Sequence, residues 1–496
     1  MAGGLIRSRI ELRLPWSCIR RWHLALAETL MGKQAEVYVS VNESPSSVPA
    51  SVELFLWVER SLAGRARSSL GDKVGVGEFP RLTSGGSSDL ILDLSSDPET
   101  DAKTPSLRPL YDGVADEAAI FSALLAGRSP VIEIERNPDR KILARGRPSL
   151  EGARTVGESY GIVAETVSRL LLGAINGTAP PVEAGPQLSQ PRPPGARVPE
   201  YVLKLLKNTA ITRLYRLCCY SPHWRVGWRF VPERDVWDRM DLGGAPWSAI
   251  VNPGLRFLAD PFPIDWRGGS YVFVEDFDHR IGKGIISVVP FDEKGPSGGP
   301  IPVLEEPWHL SYPYLFEDDG QIWMIPECSE TNEVSVYRAT DFPAGWTKEA
   351  TLLKDISAHD TTILRHRGRL WMFTTIMNAG RSTESLYIFT ADKLFGPWLP
   401  HPLNPVMLDS AAARSGGNIV FRNGRLWRPV QDCRERYGGA LGLAEITRLD
   451  ESNYCQVVRT VLRPCAAWPG RRIHTLNRSN RLECIDGSAN LLRTIW

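Results

Sequence analysis

Three short segments of this 496-residue chain repeat one pattern, a polar turn followed by Gly-x-hydrophobic-Trp. They read FEDDGQIWMIPE (316–327), LRHRGRLWMFTT (364–375) and FRNGRLWRPVQD (421–432). DPFPIDWRGGSYVFVED (260–276) fits the same frame with Tyr271 in the tryptophan position, and RIHTLNRSNRLECIDG (472–487) is a weaker copy with Glu483 there. Strand–turn–strand units that recur about every fifty residues are typical of propeller blades. The repeat predicts an all-β five-bladed β-propeller, and a β-sandwich with similar hairpins is the alternative.

Composition and charge limit the classes of function. The chain is 43% hydrophobic and 23% charged, which is ordinary for a globular protein of two or three domains. A net charge of +1 gives no basis for nucleic-acid binding, so no nucleic-acid partner is expected. The eight cysteines form no CxxC pair, and we predict neither a metal site nor another cofactor. The amino terminus lacks the apolar core of a signal peptide and no apolar run could span a membrane, which predicts a cytoplasmic location.

A segment rich in Pro and Gly, residues 176–200, is predicted to be a linker between two regions of different pattern. Residues 1–175 alternate between strand-like and helical segments, which predicts an α/β domain with a Rossmann-type parallel sheet. The predicted strands are AEVYVSV (35–41), DLILDLS (89–95) and SPVIEIER (129–136), and the predicted helices span 19–33, 116–127 and 156–175.

The linker is followed by a basic segment, residues 201–223, which is predicted to form an amphipathic helix. Lys204, Lys207, Arg213 and Arg216 give it its charge. A docking helix with a solvated basic face and a helix that makes peripheral membrane contact through residues 201–220 are both compatible with this pattern. The propeller repeats then occupy residues 224–496.

The geometry of a propeller blade decides where the polar residues of the repeat meet. The first strand of a blade lines the central channel and the second returns antiparallel, so the start of one and the end of the other share a channel mouth. We expect that mouth to hold the strand starts Asp260, Tyr312 and Asp360, and the strand ends Glu275, Glu327, Thr375 and Gln431, with Asp276 and Asp432 beside them.

Several carboxylates at one channel mouth suit the cleavage of glycosidic bonds. One carboxyl group protonates the leaving oxygen while another activates water or attacks carbon, and crowding raises the pKa of one of them. The alternatives are that these acids bind a cation, hydrogen-bond the strand ends or merely contact a sugar. The hypothesis assigns catalysis to Asp260, Asp360 and Glu327.

Aromatic and basic residues near the same mouth are candidates for substrate contacts. Trp308 and Tyr312 could stack on sugar rings or pack in the core, and Arg414, at the start of blade 4, could hold a carboxylate, a phosphate or a channel-lining acid. His309, His359 and His474 are expected near the same mouth, but their spacing matches no compact metal-binding motif. The complete set of predicted substrate-binding residues is Glu275, Trp308, His309, Tyr312, His359, Arg414, Gln431, Asp432 and His474.

The segment FLADPFPI, with Asp360 two blades later, resembles family 43 glycoside hydrolases. The resemblance implies that Asp260 is the general base and that Asp360 tunes the general acid and orients the sugar. That family takes its general acid, a glutamate, from the start of blade 4, where this chain reads AARSGGNIV. Glu327 is then the best available acid, and an inverting hydrolase needs its carboxyl roughly 6.5–9.5 Å from that of Asp260.

A second resemblance covers residues 224–496. WHLSYPYLFEDDGQIWMIPE, DTTILRHRGRLWMFTT and RPVQDCRERYGGAL look like the N-terminal domain of plant glucosamine inositolphosphorylceramide transferases. In those enzymes sugar transfer is attributed to a separate glycosyltransferase domain. The resemblance therefore implies a glycan or glycolipid partner more strongly than it implies catalysis, and a non-catalytic sugar-binding or scaffold module is an alternative to a hydrolase or a glycosyl-transfer component.

The amino-terminal region resembles formyltransferase domains that accompany this propeller in bacteria, through DLILDLS, LYDGVADEAAIFSALLAG and ARGRPSL. Formyl transfer in that family relies on an Asn, a His and an Asp at one site. His23 is the only histidine before residue 223 and lies in a predicted helix, so no general base of that kind is present. We expect a degenerate, inactive relative, and sugar formyl transfer is the third functional alternative.

Overall fold

Two units make up the fold of the computed structural model, Met1–Thr209 and Ala210–Trp496. The structure describes residues 8–42, 48–62, 69–79, 88–95, 104–179 and 193–493. Residues 180–192, the middle of the predicted linker, therefore lie outside the described residues.

The amino-terminal unit is built on one six-stranded sheet with the order β2-β1-β3-β4-β5-β6. Its strands are β1 (Arg9–Pro15), β2 (Glu36–Asn42), β3 (Leu90–Asp93), β4 (Ser106–Tyr111), β5 (Ile132–Asn137) and β6 (Lys141–Gly146). The first four strands are parallel to one another, and β5 and β6 run antiparallel. The predicted α/β domain with a parallel sheet is confirmed, although the sheet is mixed because only three residues join β5 to β6, and so short a hairpin requires antiparallel strands.

Four helices accompany this sheet: α1 (Arg21–Gly32), α2 (Ala50–Leu62), α3 (Glu117–Leu125) and α4 (Val156–Asn176). The first three all contact α4, whose buried residues recur at the three- and four-residue spacing of one helix face. The Thr155 side chain accepts the Glu158 N–H at the start of α4, and Gly177, with φ of 67°, ends it in the left-handed conformation.

A further helix, α5 (Val198–Cys218), corresponds to the basic helix predicted over residues 201–223. It begins three residues earlier and ends five residues earlier than predicted. None of its residues is buried.

The carboxy-terminal unit is a five-bladed β-propeller, as the repeat predicted. Blade 1 consists of β10 (Arg256–Trp266), β11 (Gly269–Asp278), β12 (Lys283–Phe291) and β13 (Ile301–Leu304). Blade 2 consists of β14 (Ser311–Asp318), β15 (Gln321–Glu327), β16 (Glu333–Asp341) and β17 (Gly345–Lys354). Blade 3 consists of β18 (Ala358–His366), β19 (Arg369–Ile376), β20 (Ser385–Ala391), β21 (Leu399–Pro400) and β22 (Met407–Leu408), and blade 4 consists of β23 (Val420–Arg422), β24 (Arg425–Asp432), β25 (Ala440–Asp450) and β26 (Asn453–Leu462).

Blade 5 closes the ring by combining strands from both ends of the unit. It joins β27 (Leu476–Arg478) and β28 (Leu482–Ser488) to β8 (Trp224–Phe230) and β9 (Ser248–Ala249), and β28 pairs with β8 over seven residues. A short helix, α6 (Val236–Arg239), lies between β8 and β9, and β7 (Cys219–Tyr220) pairs with β29 (Leu491–Leu492). Because strands from the two ends of the unit pair within blade 5, the five blades form a closed ring. The alternative of a β-sandwich is therefore wrong.

The repeated turns explain why the hairpins look alike in sequence. In blades 1 to 4 both central turn residues have positive φ, at Arg267–Gly268, Asp319–Gly320, Arg367–Gly368 and Asn423–Gly424. Two such residues form a type I′ turn, whose twist matches that of the flanking strands and which favours glycine at its second position. The tryptophan position is the third pair from each turn, as in Phe316↔Trp323.

The fifth copy departs from the predicted register by one residue. Its turn has no glycine, and Cys484 rather than Glu483 takes the tryptophan position, since it pairs with Asn477. Glu483 is instead buried, and its carboxylate accepts hydrogen bonds from the Arg229 side chain at 2.7 Å and the Val236 N–H at 3.0 Å.

Candidate functional site

A bulge in the innermost strand of blades 1, 2 and 3 points one side chain of each strand into a shared site. The register shifts between Ala259 and Phe262, between Ser311 and Tyr314, and between His359 and Thr362. Within the bulges Asp260, Tyr312 and Asp360 have φ values of 47°, 43° and 49°. Bulges redirect side chains, and left-handed backbone costs a residue other than glycine about 1–2 kcal/mol, so the fold accepts strain at three equivalent positions.

The predicted strand ends lie opposite these bulges. Glu275 pairs with the residue before Asp260, Glu327 with the residue before Tyr312, and Thr375 with the residue before Asp360. In blade 4 the Gln431 N–H donates to the Arg414 carbonyl at 2.9 Å, which is the equivalent pairing. The structure thus brings the predicted strand starts and strand ends together at one end of the channel.

Arg414 is the central cation of this site. Its Nε donates to Asp360 Oδ2 at 2.6 Å, and its Nη2 donates to Asp360 Oδ1 and to Glu327 Oε2, each at 3.2 Å. Although burial opposes the charge of this guanidinium, the carboxylates of Asp360 and Glu327 raise the pKa of Arg414 well above its ordinary value. One buried arginine from blade 4 therefore joins acids from blades 2 and 3.

Each of these two acids has additional partners. Asp360 Oδ2 also accepts a hydrogen bond from Gln431 Nε2 at 2.6 Å. Glu327 accepts the Asp360 N–H at 3.2 Å, and its Oε1 lies 2.9 Å from His359 Nδ1. Burial opposes the charge on Glu327, but His359 and Arg414 hold the pKa of Glu327 well below its usual range.

A second group of residues surrounds Asp260. Asp260 Oδ1 accepts the Thr475 hydroxyl at 2.6 Å and lies 3.7 Å from His474 Nε2, while Oδ2 accepts the Tyr312 N–H at 3.2 Å. Burial raises the pKa of Asp260, and the His474 charge and the Thr475 hydroxyl act against that rise. Two hydrogen-bond donors and the nearby His474 charge therefore favour the carboxylate form of Asp260, although its pKa is raised overall.

His474 bridges Asp260 to Asp486 of blade 5. The ring Nδ1 of His474 forms an ion pair with Asp486 Oδ2. The other oxygen of Asp486 accepts the backbone N–H groups of His474, at 2.9 Å, and of Thr475, at 3.1 Å. Burial lowers the pKa of His474, but the carboxylates of Asp486 and Asp260 raise it above its ordinary value overall. The two carboxylates therefore favour the charged form of this imidazole.

Within the part of the chain that the structure describes, Asp260, His474 and Asp486 form a group that could hold a metal ion. One potential ligand atom from each lies within 4.8 Å of the others. Both ring nitrogens of His474 already face carboxylates, so a metal ion would have to displace an imidazole proton before it could bind. The charged imidazole already supplies positive charge between the two acids.

Glu275 differs from the other acids of the site. Its closest charged partner is His309, whose Nε2 lies 3.5 Å from Glu275 Oε1. The Gly284 N–H donates to His309 Nδ1 at 2.9 Å, which leaves the proton of the neutral ring on Nε2, towards Glu275. Burial, and then the charges of Asp260 and Glu327, raise the pKa of Glu275 well above its usual value.

The charges that raise the pKa of Glu275 show that the acids of the site lie close to one another. The charges of Asp260, Glu327, Asp360 and Asp486 all act on Glu275. We call Asp260, Glu275, Glu327, Asp360 and Asp486 the acid cluster. Burial also raises the pKa of Asp360 well above its usual value, against the opposing charge of Arg414, but Glu275 is the member of the acid cluster with the fewest donors.

Aromatic rings cover the acid cluster on the side of blade 5. Trp224 stacks on His474 with the ring centroids 4.1 Å apart and the planes 4° from parallel. Tyr437 meets His474 edge-on at 5.3 Å, and the Arg414 guanidinium lies 5.0 Å from the Tyr437 ring centroid. These rings exclude water from one side of both cations and present an aromatic surface next to the acids.

Tyr312 contributes its hydroxyl to the channel wall rather than an exposed ring. The side chain is fully buried, and its hydroxyl lies 3.0 Å from Thr362 Oγ1 and accepts the Gly417 N–H at 2.9 Å. Its contacts link blades 2, 3 and 4, so the structure gives Tyr312 a role in packing and not in stacking on a sugar.

Two further predicted residues make contacts outside the acid cluster. Asp432 follows Gln431 on β24 and therefore points to the opposite face, where its Oδ1 accepts Arg434 Nε at 2.8 Å. Trp308 is partly buried and packs against the core formed by blades 1, 2 and 3. The position of Asp432 does not support the substrate-contact role predicted for it, and the role of Trp308 stays a prediction.

Several members of the site were missed in the sequence. Asp486 lies at the end of the second strand of blade 5, and the one-residue slip of that copy hid it. Thr475 precedes β27, and no repeat marks Trp224 or Tyr437, which reach the site from β8 and from the segment after β24.

His23, the only histidine before residue 223, is buried within α1. Its Nδ1 accepts the Arg20 N–H at 3.0 Å. Burial, with the Arg20 charge, lowers the pKa of His23 to about 3, so the ring is neutral.

Most of the propeller is similar to a known family. Residues 247–485 match the family model described as "Glucosamine inositolphosphorylceramide transferase 1, N-terminal". The curated protein glucosamine inositolphosphorylceramide transferase 1 of Arabidopsis thaliana is 32% identical over 241 residues, which are 46% of this chain and 31% of the relative. The protein of the same name from Oryza sativa subsp. japonica is 31% identical over 232 residues, 45% of this chain and 31% of the relative. The resemblance predicted for the propeller is confirmed.

The match covers only about a third of the length of these curated relatives, which are plant proteins. The match to the family model does not include residues 1–246. The formyltransferase resemblance of the amino-terminal unit, like the bacterial source and the cytoplasmic location expected from the sequence, stays a prediction.

Among solved structures, a thermostable family-43 glycoside hydrolase is 15% identical, with a TM-score of 0.32 over 43% of this chain and 78% of that one. Zg3597, a family 117 glycoside hydrolase of Zobellia galactanivorans, is 13% identical, with a TM-score of 0.36 over 53% of this chain and 90% of that one.

Proposed function

We propose that the channel mouth of the propeller binds a glycan or the sugar headgroup of a glycolipid, with Glu275 as the proton donor of the site. The observation that carries the proposal is that the members of the acid cluster have different charged partners. Glu327 and Asp360 share the Arg414 cation, Asp260 and Asp486 share the His474 cation, and Glu275 has only a neutral histidine beside it. The name of the curated relatives supports the substrate class, since it combines a sugar with a phosphorylated lipid.

In a reaction at a glycosidic bond, Glu275 would protonate the leaving oxygen and Asp260 would activate water as the base. A general acid needs a raised pKa and a base needs its carboxylate form. The pKa values of both residues are raised, but that of Glu275 is raised well above its usual value, whereas the His474 charge and the Thr475 hydroxyl oppose the rise at Asp260. Glu327 was the acid in the sequence-based hypothesis, but its partners His359 and Arg414 favour the ionised form. The acid role therefore moves to Glu275.

A second candidate is a non-catalytic sugar-binding module, and Arg414 is the observation that favours it. This arginine lies at the start of blade 4, where the resemblance to family 43 calls for a general acid. By neutralising Asp360 and Glu327 it fixes two of the five acids in ion pairs. Such a site could bind sugar hydroxyls without transferring a proton.

Glycan-array binding of the intact chain, followed by a turnover assay on each hit, separates the two candidates. For the hydrolase we expect Glu275→Gln to keep binding and to lose turnover by at least about a hundredfold, since general acid catalysis is worth that much. Asp260→Asn should lose turnover as well. Asp432→Asn, on the opposite face of β24, is the matched control and should change neither.

The outcomes are distinct. Binding without turnover in the wild type would eliminate the hydrolase and leave the binding module. A folded wild type that binds no glycan, or a Glu275→Gln variant with full turnover, would contradict the proposal that the acid cluster works through Glu275.

A further inference from the structure

An exposed stripe of leucines runs along α5. Leu203, Leu206, Leu214 and Leu217 are 70%, 63%, 64% and 71% exposed. With Ala210 between them they recur every three or four residues. At 100° per residue these five positions fall within about 80° of the helix circumference, so they form one continuous apolar face.

The opposite side of α5 faces protein. Tyr215 donates its hydroxyl to Asn490 Oδ1 at 2.8 Å, and the Tyr201 ring meets Phe55 edge-on at 5.8 Å. Both tyrosines lie roughly 140–180° around the helix from the centre of the stripe. The leucines therefore point outward because of how the helix is seated.

All the charges along the stripe are positive. Residues 201–218 contain Lys204, Lys207, Arg213 and Arg216 and no acid. None of the four forms an ion pair with a described residue. Lys207 and Arg213 border the stripe on its two sides, so any surface that covers the leucines also meets positive charge.

We propose that α5 docks on an anionic lipid bilayer, with the leucine stripe in the boundary between headgroups and acyl chains. Long basic side chains beside an apolar face reach back to lipid phosphates, and this arrangement is typical of helices that lie in the membrane plane. No described helix is long and apolar enough to cross a bilayer, so the contact is peripheral.

The charges argue against a second copy of the chain as the occupant. Two α5 helices paired through their leucines would place Lys207 and Arg213 beside the same cations of the partner, since these residues flank an a/d-type seam. A polyanion without an apolar surface would leave the leucines in water. An anionic bilayer satisfies both the stripe and its basic borders.

Co-sedimentation of the intact chain with vesicles tests the proposal. One set of vesicles is phosphatidylcholine alone and the other contains added phosphatidylserine. We expect binding to the anionic vesicles that weakens as salt is raised, and little binding to the neutral ones. Each basic residue near an anionic surface contributes about 1 kcal/mol, so Lys207→Gln with Arg213→Gln should weaken binding roughly 30-fold.

Replacing Leu206 and Leu214 with glutamine should weaken vesicle binding at least about tenfold for each residue, because the buried apolar area is lost. The matched controls are Leu205→Gln, on the opposite side of the same helix, and Lys294→Gln, an exposed cation in the propeller. Both should bind as the wild type does. All four positions of the test variants are exposed or solvent-facing, and circular dichroism checks that the helix is retained.

Absence of binding to anionic vesicles, or binding that the leucine variant leaves unchanged, would overturn the inference. A concentration-dependent dimer abolished by the same leucine variant, without vesicle binding, would assign the stripe to a second copy instead. The vesicles carry no carbohydrate, so this result is independent of the glycan assay of the propeller.

Discussion

Replacing Arg414 with methionine removes the one cation that two buried acids share. The guanidinium makes three hydrogen bonds to the carboxylates of Asp360 and Glu327, and its Nη1 donates to the Ser382 hydroxyl at 3.0 Å. Methionine keeps an unbranched side chain of comparable length, so the main change is the loss of charge and of these donors.

The magnitude follows from what stays behind. Removing one partner of a buried ion pair costs about 3–5 kcal/mol, because the other charge is left without compensation. Gln431 still donates to Asp360 and His359 still faces Glu327, so we expect the lower part of that range, about 3–4 kcal/mol at pH 7. For a unit of this size, with an unfolding entropy of about 2.1 cal/mol/K per residue, the melting temperature should fall by roughly 5–7 °C.

Thermal unfolding of the intact chain at pH 7 and at pH 4 tests the reasoning. The stranded acids of the variant take up protons as the pH falls, so its deficit in unfolding free energy should shrink at pH 4. Adding Asp360→Asn to the variant should restore part of the stability for the same reason. Arg448→Met is the matched control, since Arg448 and Asp450 form an exposed ion pair outside the acid cluster, and it should cost less than about 1 kcal/mol. A deficit equal at both pH values, or a double variant no more stable than Arg414→Met, would refute the assignment of Arg414.

Three other perturbations test the site. Burial and neighbouring charge raise the pKa of Glu275 in the folded state. Wild-type stability should therefore fall as the pH rises above the pKa of this residue in the unfolded chain, which is near 4.5. In urea unfolding, Glu275→Gln should be more stable than the wild type at pH 8 and equal to it at pH 4. Tyr312→Phe removes the acceptor of the Gly417 N–H and should cost about 1–3 kcal/mol in the same assay. Asp486→Asn should lower the pKa of His474 measured by NMR titration, and an unchanged pKa would contradict the bridge between the two acids.

The propeller could be predicted from sequence because its signal is local. A type I′ turn needs two residues of positive φ, so Gly320, Gly368 and Gly424 recur in fixed positions before each tryptophan. Five such hairpins at a constant spacing leave few folds other than a ring. Blade 5 uses a turn without glycine, and there the prediction slipped by one residue, which concealed Asp486.

The protonation states could not be predicted in the same way. Whether Glu327 or Glu275 is the acid depends on Arg414, which contacts Glu327 together with Asp360, and not Glu275, because the ring brings blade 4 beside blades 2 and 3. In the amino-terminal unit, β1, β4, β6 and α2 were not identified from the sequence. β4 contains a proline, and β6 is a charged edge strand that lacks a clear alternating pattern.

The balance of charge explains why Glu275 is informative for both candidate functions. Arg414 and His474 each neutralise part of the acid cluster, and Glu275 is left as a buried carboxyl beside a neutral histidine. A protonated carboxyl donates a hydrogen bond while the nearby Asp260 carboxylate accepts one, which is the pair of roles that sugar hydroxyls require. Glutamine at position 275 can still donate a hydrogen bond but cannot release a proton. Retained binding with lost turnover would therefore identify proton transfer, whereas binding that survives with no turnover in either protein would place the function of the acid cluster in recognition.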